Sequence, residues 1–384
     1  MARLLGLGSG HNRVIENYHD LRVSASQNTG NLVFNFALEQ LIHLKETGLR
    51  WNTAAEHLNA YGDPVVVPMA NNIGKHMDLE VSGPQLNALT VPFVVFGLGG
   101  QFSVNGVVEE SIGVIPEGTI RWLKKIGSAT SQPNISVRGE YTYHIFEQLG
   151  LAKSAIKLGC PSHFISSDKC LGAHIAGRVK ELSLNNLSSG IGITAGNPEI
   201  KHLARLEQFL INLIDQNGGC YVVQNPKALI CVAEGWLNEL TEQETEEVRS
   251  VFFPDRQTVE MTNWMRQYAR TYISVPQWCR DISKQALVVG TRIHGCQVAL
   301  QAGVPTVCLY IDSRTKELCD ILHIPSIKAQ TFQKDPSIDR IIDTLHAWNW
   351  DDYDEKRMAL CRKTLAFVEA NGLKPTRHFY ELAR

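Results

Sequence analysis

Ala286-Leu-Val-Val-Gly-Thr-Arg-Ile-His-Gly-Cys-Gln-Val-Ala-Leu-Gln-Ala-Gly-Val-Pro-Thr-Val307 reads as one strand–helix–strand unit. Four apolar residues, Ala286 to Val289, make a buried strand, and Gly290 ends it. His294 to Gln301 follows with helical character, Gly303 stops the helix, and Pro305 to Tyr310 starts the next strand. Arg292 and His294 stand one residue apart on the tight connection. That position combines a guanidinium and an imidazole with the free N–H groups of a helix start, a setting that suits a phosphate or a carboxylate. Arginine offers a planar fork for such a group, and histidine exchanges a proton near neutral pH. The same residue types also fit a plain surface arginine and a helix cap.

Outward from this unit the alternation continues. Ile191 to Thr194, Cys220 to Gln224 and Thr271 to Val275 read as strands. Glu199 to Asp215 and Thr258 to Arg270 read as the helices between them, with a helical turn at Ile282 to Gln285. Short apolar strands separated by helices predict βαβ units and a buried parallel sheet. The segment from Lys180 to Gly190, rich in Ser and Asn, reads as a linker. Before it, Ser24 to Asn31 is predicted as a loop and Leu32 to Leu44 as a helix face. Pro64 to Pro68, Val91 to Phe96 and Ile135 to Val137 are predicted strands, with helices over Thr119 to Lys125 and Glu140 to Leu149. Two further helices are expected near Ile338–Ala347 and over Asp352 to Ala370. Two α/β halves of this kind meet at a cleft where the carboxyl ends of their strands face each other.

Composition narrows the function classes. At 384 residues the chain has room for two domains. Lys and Arg number 37 against 39 Asp and Glu, a net charge of −2, which argues against a nucleic-acid binder. No apolar run reaches the ~18–20 residues that span a bilayer, and the first ten residues do not read as a signal peptide. The nine cysteines run from Cys160 to Cys361 without a C-x-x-C pair, so reduced, mostly buried thiols are expected rather than a disulfide framework or a zinc site.

Three collinear segments carry a family resemblance. Val289-Gly-Thr-Arg-Ile-His-Gly295, Ala302-Gly-Val-Pro305 and Tyr310-Ile-Asp-Ser-Arg314 form the first. Ile135-Ser-Val-Arg-Gly-Glu140 and Leu158-Gly-Cys-Pro-Ser162 form the second, and Asn28-Thr-Gly-Asn31 the third. In this order and spacing they resemble the polysaccharide pyruvyl transferase family. The chain departs from that pattern at Asn31, where the family usually has an acid, and at Gly139, where it often has another.

The resemblance implies an α/β fold of two Rossmann-like domains facing a cleft, GT-B-like, with C-terminal helices. Residues 1–182 would form the N-terminal, acceptor-side domain that contributes Arg138. Residues 183–384 would form the donor-side domain with Arg292 and His294, plus the C-terminal helices. It further implies phosphoenolpyruvate as donor and a pyruvate ketal on a polysaccharide or lipid-linked glycan precursor as product, with release of phosphate. His294 is the expected acid/base, and Arg292 and Arg138 clamp the donor from the two sides. Asn28, Gly30, Gly295 and Arg314 complete the expected substrate-binding set. No metal and no cofactor beyond the donor substrate are expected. The setting would be cytoplasmic, at the inner membrane face where cell-envelope or exopolysaccharide precursors are built. A peripheral membrane contact and a homo-oligomer are both compatible with it. Two other readings share much of this pattern: a GT-B glycosyltransferase using a nucleotide-sugar, and a catalytically idle glycan-binding relative.

Other signals are weaker. Gly97-Leu-Gly-Gly100 lacks the third spaced glycine of a dinucleotide site and reads as a tight turn lining the cleft, and Gly6-Leu-Gly-Ser-Gly10 is no P-loop. His11, His19, His43, His57 and His76 show no metal spacing. Trp264, Tyr268, Tyr272 and Trp278 read as core aromatics, Trp348-Asn-Trp350 as a surface contact for an acceptor or partner, and Glu239 to Glu247 as a solvated acidic helix face.

Overall fold

The computed structural model describes residues 1–6, 14–60, 62–102, 108–184, 186–187 and 189–384. Six strands of the first half are β1 (Ala2–Leu4), β2 (Leu44–Glu46), β3 (Val65–Pro68), β4 (Phe93–Leu98), β5 (Ile135–Val137) and β6 (Ala155–Lys157). They form one parallel sheet in the order β2-β1-β3-β4-β5-β6. The second half supplies β7 (Ile191–Thr194), β8 (Gly219–Val222), β9 (Ala269–Arg270), β10 (Leu287–Gly290), β11 (Thr306–Tyr310) and β12 (Ser326–Lys328). Their order, β12-β11-β10-β7-β8-β9, is again parallel throughout. This is the doubly wound order of dinucleotide-binding folds, with its switch point between β7 and β10. The first sheet reverses between β1 and β3. The two Rossmann-like, GT-B-like sheets expected from sequence are thus present. Their central strands are apolar on both faces because helices cover both sides, as in Val65-Val-Val67 and Leu287-Val-Val289.

Element edges differ from expectation most clearly in three places. The helix predicted to reach Leu44 ends at Leu41, and Leu44 begins edge strand β2. A period of 3.6 and a short edge strand both tolerate the same apolar residues there. The predicted loop over Ser24 to Asn31 loses its first two residues to the helix Tyr18–Ala25. The predicted strand Thr271–Val275 is displaced: pairing with β8 occurs at Ala269 and Arg270. Ser274 then caps the helix Val275–Ile282, its side chain accepting from Gln277 N, with Pro276 in the first turn. The short strands β1, β2 and β12 and the helix Ser313–Ile321 carry no period long enough to read.

Of the aromatic residues predicted for the core, Trp264, Tyr272 and Trp278 are buried in it, and Tyr268 packs against it half-buried. Trp264 packs edge-on against Tyr221 and donates Nε1–H to Asp215 (2.8 Å), and Tyr272 stacks on Trp278. The surface contact expected at Trp348-Asn-Trp350 is corrected. Trp350 is buried with its Nε1 donating to the Leu345 carbonyl, and Trp348 lies half-buried against His323. All nine cysteines are free, and seven are buried. The glycine-rich run after Gly6 and His11 lies outside the described residues.

The C-terminal tail ties the halves together. The helix Trp350–Ala370 packs on the helix Leu171–Glu181, and the chain then returns to the first half, where Thr376 N donates to Leu41 O and Phe379 meets Phe164. Arg357 on that long helix is fully buried and donates to the carbonyls of His163 (3.0 Å), Ser166 (2.7 Å) and Asp168 (2.7 Å). Arg357→Met keeps the apolar stem but strands these carbonyls. We expect it to lower unfolding free energy by about 3 kcal/mol, measured by urea denaturation. A midpoint equal to wild type would show that water replaces the guanidinium. No helix among the described residues is long and apolar enough to cross a membrane.

Candidate active site

A cleft opens where the carboxyl ends of the two sheets face each other. Its lining comes from the segments just after β3 (Ala70, Asn71), β5 (Arg138), β8 (Gln224), β10 (Thr291 to His294) and β11 (Ile311, Arg314, Thr315). Asn28 and Asn31, at the start of the helix Gly30–Leu41, close one side. Strand ends at a switch point leave loops free to diverge and backbone N–H groups unpaired, which is why ligands settle there.

Three guanidinium groups reach the cleft from different elements. Arg138 is only 3% exposed, and its Nε donates to Gly97 O (2.9 Å). Gly99 makes room for it: a Cβ there would lie 2.4 Å from Arg138 Cδ. The run Gly97 to Gly100, expected as a turn lining the cleft, begins inside β4 and instead seats the arginine that lines it. Arg292 Nε and Nη2 donate to Ala195 O (3.2 Å) and Gly196 O (3.0 Å) at the end of β7, and its N–H to Thr194 Oγ1 (3.2 Å). Gly290 permits this close approach, since a Cβ there would meet Thr194 Oγ1 at 2.2 Å. Arg314 pairs with Asp312 (3.1 Å), the N-cap of the helix Ser313–Ile321, while its buried Nε has no hydrogen-bond partner among the described residues. Burial, then the neighbouring Arg314, holds Arg138 and Arg292 each down to about 10, still cationic at neutral pH. Two carboxyls stand behind them. Glu207 faces Gly196 N and Tyr221, Glu317 faces Thr142, and burial pushes each up to about 7. Together with Asp312 they only partly offset the three arginines at neutral pH, which leaves a cationic cleft of a kind that suits an anion.

His294 lies half-buried in the first turn of the helix Ile293–Gln301, whose N-terminus has no side-chain cap. Its ring stacks on Phe34 at 6.5 Å, and its Nε2 is 3.8 Å from Cys160 Sγ. Burial first, and then Arg138 and Arg314, push it down to about 3, so the imidazole is uncharged at neutral pH. An anion beside the ring would oppose the arginines' share of that shift and leave the share from burial. No Asp or Glu lines the cleft among the described residues, and His294 is the imidazole on it.

The structure brings Asn28, Arg138, Arg292, His294 and Arg314 onto one cleft, with Gly30 and Gly295 against it. Asn28 Oδ1 accepts from Gly30 N (2.8 Å) and shapes the helix start. A Cβ at Gly30 would lie 2.6 Å from Gln224 Oε1 and 3.1 Å from His294 Nδ1; one at Gly295 would lie 2.5 Å from Thr194 Cγ2. Sequence reasoning missed Gln224, Thr291, Asn71, Glu207 and Glu317. Gln224, the polar residue directly after an apolar run, was the one with a readable signal. Asn31 also borders a second hollow of about 400 Å³, which shares Ala70 with the cleft and includes Asn35, Trp51 and Asn72. Among the described residues no group of three or more His, Cys, Asp or Glu side chains could hold a metal ion.

A family model described as polysaccharide pyruvyl transferase matches residues 63–313. No curated protein matches the chain in sequence. Among solved structures it is similar to the S. aureus MnaA–UDP co-structure, with 12% identity, 98% of each chain covered and a TM-score of 0.44. It is also similar to an α,α-trehalose-phosphate synthase (UDP-forming) from Burkholderia vietnamiensis, with 11% identity, 98% of this chain and 80% of that one covered, and a TM-score of 0.35.

Proposed function

The chain belongs to the polysaccharide pyruvyl transferase family, and from that premise we propose that it moves pyruvate from phosphoenolpyruvate onto two hydroxyls of a glycan, leaving a ketal and free phosphate. The observation that carries this reading is the three-arginine anion hole with a single neutral imidazole at its edge. The donor bears a phosphate and a carboxylate, and forked guanidinium groups and an uncapped helix N-terminus fit both. The setting we propose is cytoplasmic, with residues 1–182 facing the acceptor and 183–384 the donor.

The chemistry we propose begins with His294, protonated once the donor is bound, giving its proton to the methylene carbon of phosphoenolpyruvate. Carbon 2 then carries oxocarbenium character, and a sugar hydroxyl adds to it, returning its proton to His294. The bond from carbon 2 to the phosphate oxygen breaks, and the second hydroxyl closes the ketal. Of the two hydroxyl protons, one ends on the new methyl group and the other on departing phosphate, so the sum is balanced. Arg292 and Arg314 stabilise charge on the leaving phosphate, and Arg138 holds the donor from the first domain. The hollow beside Asn31, with Trp51 and the amides of Asn35 and Asn72, suits a neutral sugar ring.

The test is phosphate release from phosphoenolpyruvate in the presence of glycan acceptors, run in EDTA. Acceptor-dependent release, undiminished by chelator, is the expected result. Thermal stabilisation by nucleotide-sugars with no phosphate release would replace this reading by a glycosyltransferase.

A further inference from the structure

We propose that Glu317 is a positioning residue of the anion hole: a carboxylate of the second domain that caps a helix of the first and thereby places Arg138. The inference rests on the reading of the cleft as the donor site. The helix Glu140–Gln148 starts directly after Arg138, and its N-cap is Gly139, which has no side chain to accept from the first-turn N–H groups. Such donors are left orphaned unless another acceptor arrives. It arrives from the other domain. Glu317 Oε2 accepts from Thr142 N (3.0 Å), and Glu317 Oε1 accepts from Thr142 Oγ1 (2.7 Å). An N-cap Asp would make the first of these bonds within its own helix; here the acceptor lies 175 residues away. Gly139 is what lets it in, because a Cβ at that position would stand 2.9 Å from Glu317 Cβ and 3.0 Å from its carbonyl oxygen. The missing acid at Gly139 and the buried acid at Glu317 are therefore one feature.

The seat extends to the arginine. Thr142 Oγ1 also accepts from Gly100 N (3.1 Å), in the same turn whose Gly97 carbonyl accepts from Arg138 Nε. Ser313 stands one helical turn before Glu317 on the same face. Its Oγ donates to Phe102 O (3.0 Å) and accepts from Phe102 N (3.2 Å). Ser313 and Glu317 together seat the helix Ser313–Ile321 on the first domain, and Arg314 rises from that helix. One buried polar clasp thus sets the spacing of two guanidinium groups that belong to different domains.

Calorimetric titration with phosphoenolpyruvate and with inorganic phosphate tests this on wild type, Glu317→Ala, Glu317→Gln and Thr142→Val, well below each unfolding midpoint. Misplacing a clamp by about 1 Å costs up to ~10²-fold, so Glu317→Ala is expected to weaken phosphoenolpyruvate binding roughly tenfold or more. Glu317→Gln should stay within about threefold, because its amide oxygen still accepts from Thr142 N. In turnover, Glu317→Ala should raise KM for the donor more than it lowers kcat. A folded Glu317→Ala that binds like wild type, or Glu317→Gln failing as badly as alanine, overturns the clasp. If Glu317→Ala does not fold, unchanged binding by Thr142→Val overturns it instead. Wild-type protein that binds neither anion overturns the donor-site reading itself.

Discussion

Replacing His294 by alanine is expected to slow pyruvyl transfer by roughly 10²–10⁴-fold, the usual contribution of a positioned general acid, while phosphoenolpyruvate still binds. The expectation follows from the cleft's inventory: three arginines, several amides and one imidazole, with no carboxylate among the described lining residues. His294 stands near 3 because of burial and of Arg138 and Arg314. A bound phosphate and carboxylate reverse the Coulomb contribution and raise it. The complex then holds more protons than the free enzyme, so affinity strengthens as pH falls across the interval between the free and bound values. Calorimetry in buffers of different ionisation enthalpy should record proton uptake on donor binding, and His294→Asn should remove the His294 share of it. Transfer by His294→Ala at the wild-type rate would mean that the acid lies elsewhere.

Arg138→Ala is expected to weaken donor binding by about 10–100-fold, since a charge-assisted hydrogen bond contributes ~1.5–3 kcal/mol. Arg138→Lys should recover only part, because an ammonium keeps the charge and loses the fork. A second consequence is independent of turnover. With Arg138 gone, part of the pressure on His294 disappears, so its pKa must rise from about 3, a change visible in the imidazole carbon-bound proton shifts by NMR. Unchanged donor affinity together with an unmoved histidine would remove Arg138 from the site. The alanine variant also leaves Gly97 O without its guanidinium donor, so urea denaturation should accompany the titration.

The βαβ unit around Val289 to Val307 was legible because a doubly buried strand, a glycine stop and a helix start are local properties of neighbouring residues. Arg292 and His294 were legible for the same reason: the strand end and the helix start place them. Arg138 needed the second strand end at Val137, also local. Edge strands were not legible, since β2 and β12 are three residues each and depend on a neighbour for their hydrogen bonds. Gly139 reads from the sequence only as a missing acid, and Glu317 lies on a helix whose period is too short to read. Only their contact shows that the first accommodates the second.

Order along the chain therefore determined the two parallel α/β halves, the strand ends that carry the arginines and the imidazole beside a helix start. Those features depend on backbone propensity and on burial patterns that repeat within a few residues. Tertiary structure decided the rest: that three guanidinium groups share one cleft, that Asn31 borders a second hollow, and that Glu317 caps a helix in the other domain. Each of these depends on distances between residues far apart in the chain. Hydrogen bonds reach about 3 Å and screened Coulomb interactions about 10 Å, and no spacing in the sequence encodes such distances.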